Sequence, residues 1–216
     1  AKLAKWKKRI KQEPAKEPVS FPLQKAYLTA TVTTQEQYDV CKACGIKDVY
    51  FDNIVRRNQN VYEDREGELL LGGYGGIFRY RKINPFVTDY SLNVVNAASC
   101  YALYKLGAKR VTLSYELNRH QIQALEMIVY GRAPLLFTKY CPLKKMGLCG
   151  SCKSGAYELK DEYGEFPVLT HEDCSTTILN GKILNLLDEM SQIDGVEAFR
   201  LSFTIESAAE VKRVID

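Results

Sequence analysis

Short apolar runs alternate with helical patterns along most of the chain. Residues 26–32, AYLTATV, are rich in the β-branched and aromatic side chains that are typical of a strand. A helix is predicted to follow, because Thr34 is a suitable N-cap, apolar residues then recur at helical spacing, and Gly45 can end the helix. A short buried strand is predicted over 47–53. Together these segments predict a β-α-β unit.

The alternation continues towards the C-terminus. It predicts further strands over 67–73, 89–96, 109–117, 133–138 and 196–204. It predicts further helices over 97–107, 118–128, 182–195 and 206–215. Strands that alternate with helices pair in parallel through crossover connections, so the predicted fold class is α/β. Two architectures satisfy this order: an open doubly wound sheet, and a (β/α)8-like barrel at the small end of the barrel size range.

Glycine patterns do not favour a nucleotide-binding sheet. No predicted strand is followed by the GxGxxG turn of a dinucleotide-binding fold. The segment 72–76, GGYGG, lacks the lysine and the serine or threonine of a phosphate-binding loop, and we expect a flexible loop there. We prefer the barrel, with residues 26–216 as its domain and residues 1–25 as a basic tail or linker.

One segment, at about residues 139–176, breaks the alternation. Where a helix should follow the strand 133–138, the chain has a cysteine-rich loop and then a predicted β-hairpin. The hairpin turn is predicted over 162–165, with Pro167 beginning the return strand. The segment is therefore an insertion at the C-terminal rim of the barrel, the face where such folds place their chemistry.

Four of the seven cysteines fall within 34 residues of one another, with the spacing C-x7-C-x2-C-x21-C. These four are Cys141, Cys149, Cys152 and Cys174. The CxxC pair places two thiolates about one turn apart, and the predicted hairpin would return the fourth cysteine to the same place. Soft thiolates select Zn²⁺ or an iron–sulfur cluster, so we expect the four to bind one centre. Spacing alone does not separate a zinc site from a 4Fe-4S cluster.

Other interpretations of the cysteines remain open from the sequence. The four could be structural cysteines without a shared ligand, or the CxxC pair could be a redox pair, although it does not begin a helix of a thioredoxin-like unit. His171, three residues before Cys174, could substitute as a ligand. Cys41 and Cys44 are expected to face a core, and they and Cys100 are predicted to bind no metal.

Positive charge is concentrated in the first 25 residues, AKLAKWKKRIKQEPAKEPVSFPLQK. They hold eight basic against two acidic residues, a net of +6, so the remaining chain carries −2 of the total of +4. This tail is predicted to be either a helical arm that contacts RNA phosphates or a solvated linker helix ended by Pro14 and Pro18.

Composition narrows the compartment and the partners. No run approaches the roughly 18 apolar residues of a membrane span, and the N-terminus has no signal-peptide core. Seven cysteines without a secretory signal favour reduced thiols, so a cytoplasmic location is predicted. The chain starts at Ala1 within a lysine-rich segment, which suggests a longer polypeptide whose other domains are partners.

Several polar residues lie at the ends of predicted strands and are candidates for substrate binding. They are Asn93, Asn96, Glu116, Arg132, Lys139 and Arg200. Arg132 and Lys139 flank the strand before the cysteines and could hold an anionic co-substrate or a phosphate. Glu116 and Arg200 could form an ion pair at the barrel mouth. With only two histidines, His120 and His171, and no HExxH motif, a protease centre is poorly supported.

Four segments together resemble the peptidase U32 family, and more closely the C-terminal region of its long, multi-domain members. They are YSLNVVNAASCYALYKLGAKRVTLSYELN, VYGRAPLLFTKYCPL with its downstream CxxC, LKDEYGEFPV and FRLSFT. The resemblance covers about residues 26–216. It implies a barrel-like domain and a four-cysteine iron–sulfur cluster, whose ligands here would be Cys141, Cys149, Cys152 and Cys174.

The resemblance also implies a function. Members of the family are linked to hydroxylation of pyrimidines in tRNA or ribosomal RNA and of ubiquinone precursors, and the family carries an older collagenase-type peptidase label. We therefore expect part of an iron–sulfur-dependent, RNA-modifying enzyme. The alternatives are a peptidase or collagenase-type hydrolase, and a non-catalytic metal-stabilised module. The cysteines lie closer together than in the usual pattern of the family, so the resemblance leaves open the type of cluster and whether this region is the catalytic one.

Overall fold

The computed structural model describes residues 26–51, 61–63, 68–116, 126–150, 157–171 and 173–216. Strands β1 to β12 are, in order, Tyr27–Val32, Asp48–Phe51, Val61–Glu63, Leu69–Leu71, Phe86–Thr88, Glu126–Gly131, Pro134–Thr138, Tyr157–Asp161, Gly164–Thr170, Thr176–Leu179, Leu184–Asn185 and Ala198–Ser202. Helices α1 to α5 are Gln35–Ala43, Tyr74–Tyr80, Ala97–Lys105, Pro142–Lys145 and Ala208–Ile215. Two 3-10 segments are Tyr90–Leu92 and Leu187–Gln192.

These strands form three sheets. The main sheet has the order β11-β6-β12-β1-β2, in which only the short β11 is antiparallel to its neighbour. A second sheet has the order β3-β4-β5, with β4 and β5 parallel. The third, β7-β10-β9-β8, is antiparallel and carries the predicted insertion. The mixed parallel arrangement agrees with the predicted α/β class.

Two isolated bridges connect the second sheet to the main one. Thr88 of β5 pairs in parallel with Val111, and Thr112 pairs in parallel with Glu126 of β6. At the other edge of these sheets, β2 lies beside β3. The parallel strands therefore begin on one side of the molecule and end on the other. A closed (β/α)8-like barrel remains a prediction.

The main sheet packs one face against α1 and α5, which also contact each other. The core at this face includes Ala30, Val32, Cys41, Leu201 and Val211. Both helices begin with a capping box, at Thr34 with Gln37 and at Ser207 with Glu210, so the predicted N-cap at Thr34 is confirmed.

A second core lies between β4, β5, α2 and α3, and it buries Leu71, Ile77, Phe86 and Leu103. Successive strand residues point to opposite faces, so Leu70 and Val87 lie on the other face of these two strands, where they pack with Tyr50. In the same way, Thr29 and Arg200 alternate with core residues of β1 and β12. The face away from the helices is thus largely polar on the main sheet and apolar on β4 and β5.

Several sequence-based elements are confirmed. The strands predicted over 26–32, 133–138 and 196–204 and the helices over 97–107 and 206–215 are present with small changes at their ends. The strand over 133–138, predicted as a barrel strand, instead pairs within the antiparallel third sheet. The hairpin is also present, but its return strand begins at Gly164, three residues before the predicted Pro167.

Other predicted elements are wrong. The strand predicted over 89–96 is instead a 3-10 segment and a loop, because β5 ends at Thr88. Residues 126–128 belong to β6 and not to the end of the helix predicted over 118–128, of which residues 118–125 lie outside the described residues. The helix predicted over 182–195 is the short β11 followed by a 3-10 segment. The GGYGG segment begins α2 at Tyr74 rather than forming a loop. In the described part of the chain, no helix is long and apolar enough to cross a membrane.

Candidate functional site

The register of β7 and β10 brings together two of the predicted cysteine ligands. Thr138, at the end of β7, lies opposite Thr176, at the start of β10. Cys141 follows Thr138 by three residues, and Cys174 precedes Thr176 by two. Although these cysteines are far apart in sequence, both lie at the same end of one antiparallel strand pair. This agrees with the expectation that the hairpin returns Cys174 to the cysteine loop.

The backbone turns sharply around the cysteines. Cys141 is the N-cap of α4, and Cys149 lies between Gly147 and Gly150, whose φ angles are +75° and +102°. These left-handed conformations suit glycine, which has no Cβ to clash. Cys174 also has a left-handed φ, of +62°, which costs a non-glycine residue about 1–2 kcal/mol. A residue kept in such a conformation is a candidate for a functional constraint.

Exposure separates the candidate ligands from Cys41 and Cys100, but not from Cys44, which is half-buried like Cys141. Cys149 and Cys174 are exposed and Cys141 is half-buried, whereas Cys41 and Cys100 are buried. Burial raises the pKa of the Cys41 thiol to about 12 and that of the Cys100 thiol to about 11. Metals bind the thiolate form, so these two buried thiols are unsuited to the task.

The complete four-cysteine site remains a prediction. Cys152 lies outside the described residues. Within the described ranges, no three histidine, cysteine, aspartate or glutamate side chains lie close enough together to hold one metal ion. His171, the alternative ligand, shares a hydrogen bond of 2.9 Å between its Nε2 and Thr177 Oγ1, and its ring lies 6.5 Å from that of Phe137.

A buried ion network occupies the polar face of the strands. Arg200 is fully buried and forms ion pairs with Asp89, at 3.2 Å, and with Glu126. Its guanidinium carbon also lies 5.7 Å from the centre of the Tyr50 ring. The predicted ion pair between Arg200 and Glu116 is therefore wrong, because the buried carboxylates of Asp89 and Glu126 take its place.

Glu126 joins this arginine to a second one. Its carboxylate accepts hydrogen bonds from Thr29 at 2.6 Å and Thr112 at 2.5 Å, and it lies 3.1 Å from Nε of Arg110. Burial opposes ionisation of Glu126, but Arg200 and Arg110, together with the two hydroxyl donors, lower its pKa below the usual range. The carboxylate is therefore ionised inside the protein.

Arg110 extends the network to neighbouring strands. Its guanidinium lies 3.1 Å from Asp48 Oδ2 and donates hydrogen bonds to the hydroxyls of Tyr27, at 2.7 Å, and Tyr50, at 3.0 Å. Tyr50 in turn donates to Glu68 at 2.5 Å. Burial on its own would lower the pKa of Arg110. The negative charge of Glu126, together with Tyr50, Tyr27 and Asp48, outweighs burial and raises the pKa above its usual value.

The position of this network indicates a structural role. Three members of the network are the first residues of their strands, namely Tyr27, Asp48 and Glu126. Glu68 directly precedes β4, and Arg110 directly precedes Val111, which forms a bridge to Thr88. Substrate sites of parallel α/β sheets lie at the opposite, carboxyl ends of the strands. Most of the network therefore fixes the strands to one another at their amino ends, whereas Asp89, which pairs with Arg200, directly follows the carboxyl end of β5. A contact of Arg200 with substrate stays a prediction.

Three other predicted residues lie in the loops between β5 and α3 and after the isolated bridges of Val111 and Thr112. Asn93 is exposed, with a left-handed φ of +53°, and Asn96 caps α3 by accepting a hydrogen bond from the backbone N–H of Ser99 at 2.9 Å. Glu116 is also exposed. A role of these three residues in substrate binding stays a prediction.

Arg132 and Lys139 lie at opposite ends of β7, which spans about 16 Å as an extended strand of five residues. Arg132 donates from Nη1 to the carbonyls of Asn180, at 3.0 Å, and Gly181, at 2.5 Å. Lys139 is exposed beside Cys141. A single small anion is therefore not expected to contact both residues, contrary to the joint role considered from the sequence.

The sequence reasoning missed most of the network. The pattern over 118–128 predicts a helix at Glu126, so the sequence does not indicate a strand residue next to Arg200. Charged residues at the starts of predicted strands, such as Asp48 and Arg110, are the sequence feature that could have indicated such a network. It also missed Glu206, a buried glutamate just before α5.

The chain was compared with models of protein families, with curated proteins and with solved structures. None of the three comparisons found a match.

Proposed function

We propose that this chain is part of an iron–sulfur-dependent enzyme that modifies RNA, with pyrimidine hydroxylation as its reaction class. Cys141, Cys149, Cys152 and Cys174 hold the cluster in this proposal. The observation that carries it is the β7–β10 register, because it brings Cys141 and Cys174 to one end of a strand pair. Between them in the chain, Cys149 is exposed on a turn formed by two left-handed glycines.

The type of donor fits such a cluster, although the three described cysteines are not grouped closely enough here to hold one metal ion. Cysteine thiolates bind 4Fe-4S clusters and zinc alike, and two of the described candidates are exposed while the third is half-buried. A bound iron–sulfur cluster would supply electron transfer. The chain's own part is to present the thiolates on a hairpin-braced loop. Zinc on the same cysteines is the alternative, and it would make this region a metal-stabilised module without chemistry of its own.

The charge beside the cysteines supports an RNA substrate. Lys139, Lys144 and Lys145 are exposed, and the last two lie in the final turn of α4, close to Cys149 in sequence. Lysine side chains bind phosphates through a non-specific, salt-dependent attraction. The chain outside the first 25 residues carries a net −2, and these three lysines place positive charge beside the cysteines.

One contact of His171 bears on the peptidase alternative. The Nε2 of His171 forms a hydrogen bond of 2.9 Å with the hydroxyl of Thr177. Thr177 is fully buried. This pair offers no accessible nucleophile of the serine- or threonine-protease type.

We further propose that the main sheet and the second sheet close into a (β/α)8-like barrel with the cysteine lobe at its C-terminal rim. The parallel bridges at Val111 and Thr112, the contact of β2 with β3, and the polar network on the face away from the helices all support this closure. An experimental structure with an open sheet would overturn it.

Deletion of the gene is expected to remove a hydroxylated pyrimidine from cellular tRNA or ribosomal RNA. Mass spectrometry of nucleosides from deleted and complemented cells measures this directly. A complementing gene with Cys100→Ser is the matched control and should restore the nucleoside. Unchanged nucleoside profiles, together with metal-dependent peptide cleavage by the purified protein, would favour the peptidase alternative instead.

Deleting residues 1–20 is expected to remove most RNA binding at low salt and to leave the metal content unchanged. Six basic residues lie in the first eleven positions, and they can neutralise a few phosphates. Fluorescence anisotropy with a labelled RNA, measured against salt concentration, gives the affinity. If the truncated protein binds RNA equally well, the tail is a linker, and the recognition surface lies elsewhere, for example at Arg132 or Lys139.

A further inference from the structure

A cavity of about 350 Å³ lies where β6 and β12 end and α5 begins. Its walls carry apolar groups and charges of both signs. They are formed by Tyr130, Arg132, Ile183, Ile205, Glu206, Glu210, Arg213 and Val214. Two arginines and two glutamates make the lining neutral overall. The cavity lies at the carboxyl ends of the parallel strands, where α/β folds bind ligands.

The buried glutamate of this cavity has one oxygen without a partner. Glu206 is 8% exposed, and its Oε2 accepts a hydrogen bond from the backbone N–H of Thr204 at 2.6 Å. Its Oε1 has no hydrogen-bond partner among the described residues. Gln37 donates to the Glu206 carbonyl at 2.7 Å, which fixes the backbone at this point. An unpaired carboxylate oxygen in such a position is costly unless a donor meets it.

Arg132 supplies the complementary group. Its Nη1 is held by the two carbonyls of residues 180 and 181, which orients the guanidinium, but its buried Nε has no partner in the described part of the chain. Around the cavity, burial raises the pKa of Tyr130, and Glu206 and Glu210 raise it further while both arginines lower it. The cavity therefore brings carboxylates and guanidiniums close to the same tyrosine hydroxyl.

We propose that this cavity binds a small zwitterion of the α-amino-acid class. The ligand's ammonium group meets Glu206, its carboxylate meets Arg132 and Arg213, and an apolar side chain packs on Ile183, Ile205 and Val214. A simple anion would face the carboxylates of Glu206 and Glu210, and a simple cation would face the guanidiniums of Arg132 and Arg213. A ligand with both charges complements both sets of groups, and this site does not depend on the iron–sulfur function.

Isothermal titration of the full chain tests the charge requirement with three probes of one shape. L-leucine carries both charges, 3-methylbutylamine carries only the ammonium, and 4-methylpentanoate carries only the carboxylate. We expect leucine to bind at least tenfold more tightly than either single-charge analogue. Absence of leucine binding, or equal binding of an analogue, would overturn the proposal.

A substitution tests the assignment of the groups. In Glu206→Gln, the amide oxygen can still accept from the backbone N–H of Thr204, but the negative charge that attracts the ammonium group is lost. Affinity for leucine is expected to fall at least tenfold, whereas Lys212→Gln, on an exposed residue of α5 outside the cavity lining, should leave it unchanged. Equal affinities of the two variants would contradict the site.

Should Glu206→Gln fail to fold, backbone amide NMR of the unmodified protein provides the decision. Leucine should shift the amide signals of Ile183, Ile205 and Val214. Shifts confined to other parts of the molecule, or no shifts, would overturn the proposal.

Discussion

Replacing Glu126 with glutamine is expected to lower the free energy of unfolding by about 3–5 kcal/mol, the range for breaking a buried ion pair. Glutamine keeps the size of the side chain but removes the charge that faces Arg200 and Arg110, and both guanidiniums are buried. Urea unfolding followed by circular dichroism measures the change. Few single substitutions elsewhere in the chain should cost as much.

A matched exposed pair provides the control. Glu165 pairs with Lys160 on the hairpin, and both side chains are more than half exposed. Exposed ion pairs contribute little, so Glu165→Gln should not measurably change the urea midpoint. If Glu126→Gln unfolds at the same urea concentration as this control, the network does not hold the strands together as described.

The same network predicts how stability depends on pH. Because the folded protein lowers the pKa of Glu126, its contribution is present above the ordinary glutamate pKa and is lost as the pH falls through the lower, folded value. We therefore expect stability to decrease below about pH 4. The Glu126→Gln variant should show a flatter acid profile, since it has no proton to take up at this position.

The Cys149→Ser variant is expected to lose all bound metal. Serine replaces a thiolate by a neutral hydroxyl, so a four-thiolate site loses both charge and geometry. Cys149 is exposed, so the fold should tolerate the change. Iron, sulfide and zinc analysis of the purified variant gives the result.

Cys100→Ser is the informative comparison. Cys100 is buried in the second core, so a hydroxyl there should reduce stability by about 1–3 kcal/mol while metal content stays unchanged. The two variants thus separate metal binding from folding. Metal retained in Cys149→Ser, or equal metal loss in both variants, would contradict the assignment of the ligands.

Local signals in the sequence predicted a good part of the fold. Thr34 and the residues after it specify a helix start through hydrogen bonds within one turn, and the hairpin is specified by a short turn. Both depend on neighbours in the chain. The helix predicted over 182–195 failed because tertiary pairing of Leu184 with Gly131 draws the segment into the main sheet.

The buried network could not be predicted in this way. Glu126 meets Arg110 across 16 residues of sequence and Arg200 across 74, and each contact needs strands whose order the sequence does not state. The cysteines are an intermediate case. Their spacing suggested one site, but the placement of Cys141 beside the start of β10 comes from the β7–β10 register.

The most direct test of the central claim is metal analysis of the full chain after anaerobic purification. The account predicts brown protein with near-stoichiometric iron and acid-labile sulfide, both lost in Cys149→Ser and kept in Cys100→Ser. Colourless protein with one zinc ion per chain would contradict the iron–sulfur assignment and leave the structural zinc module in its place.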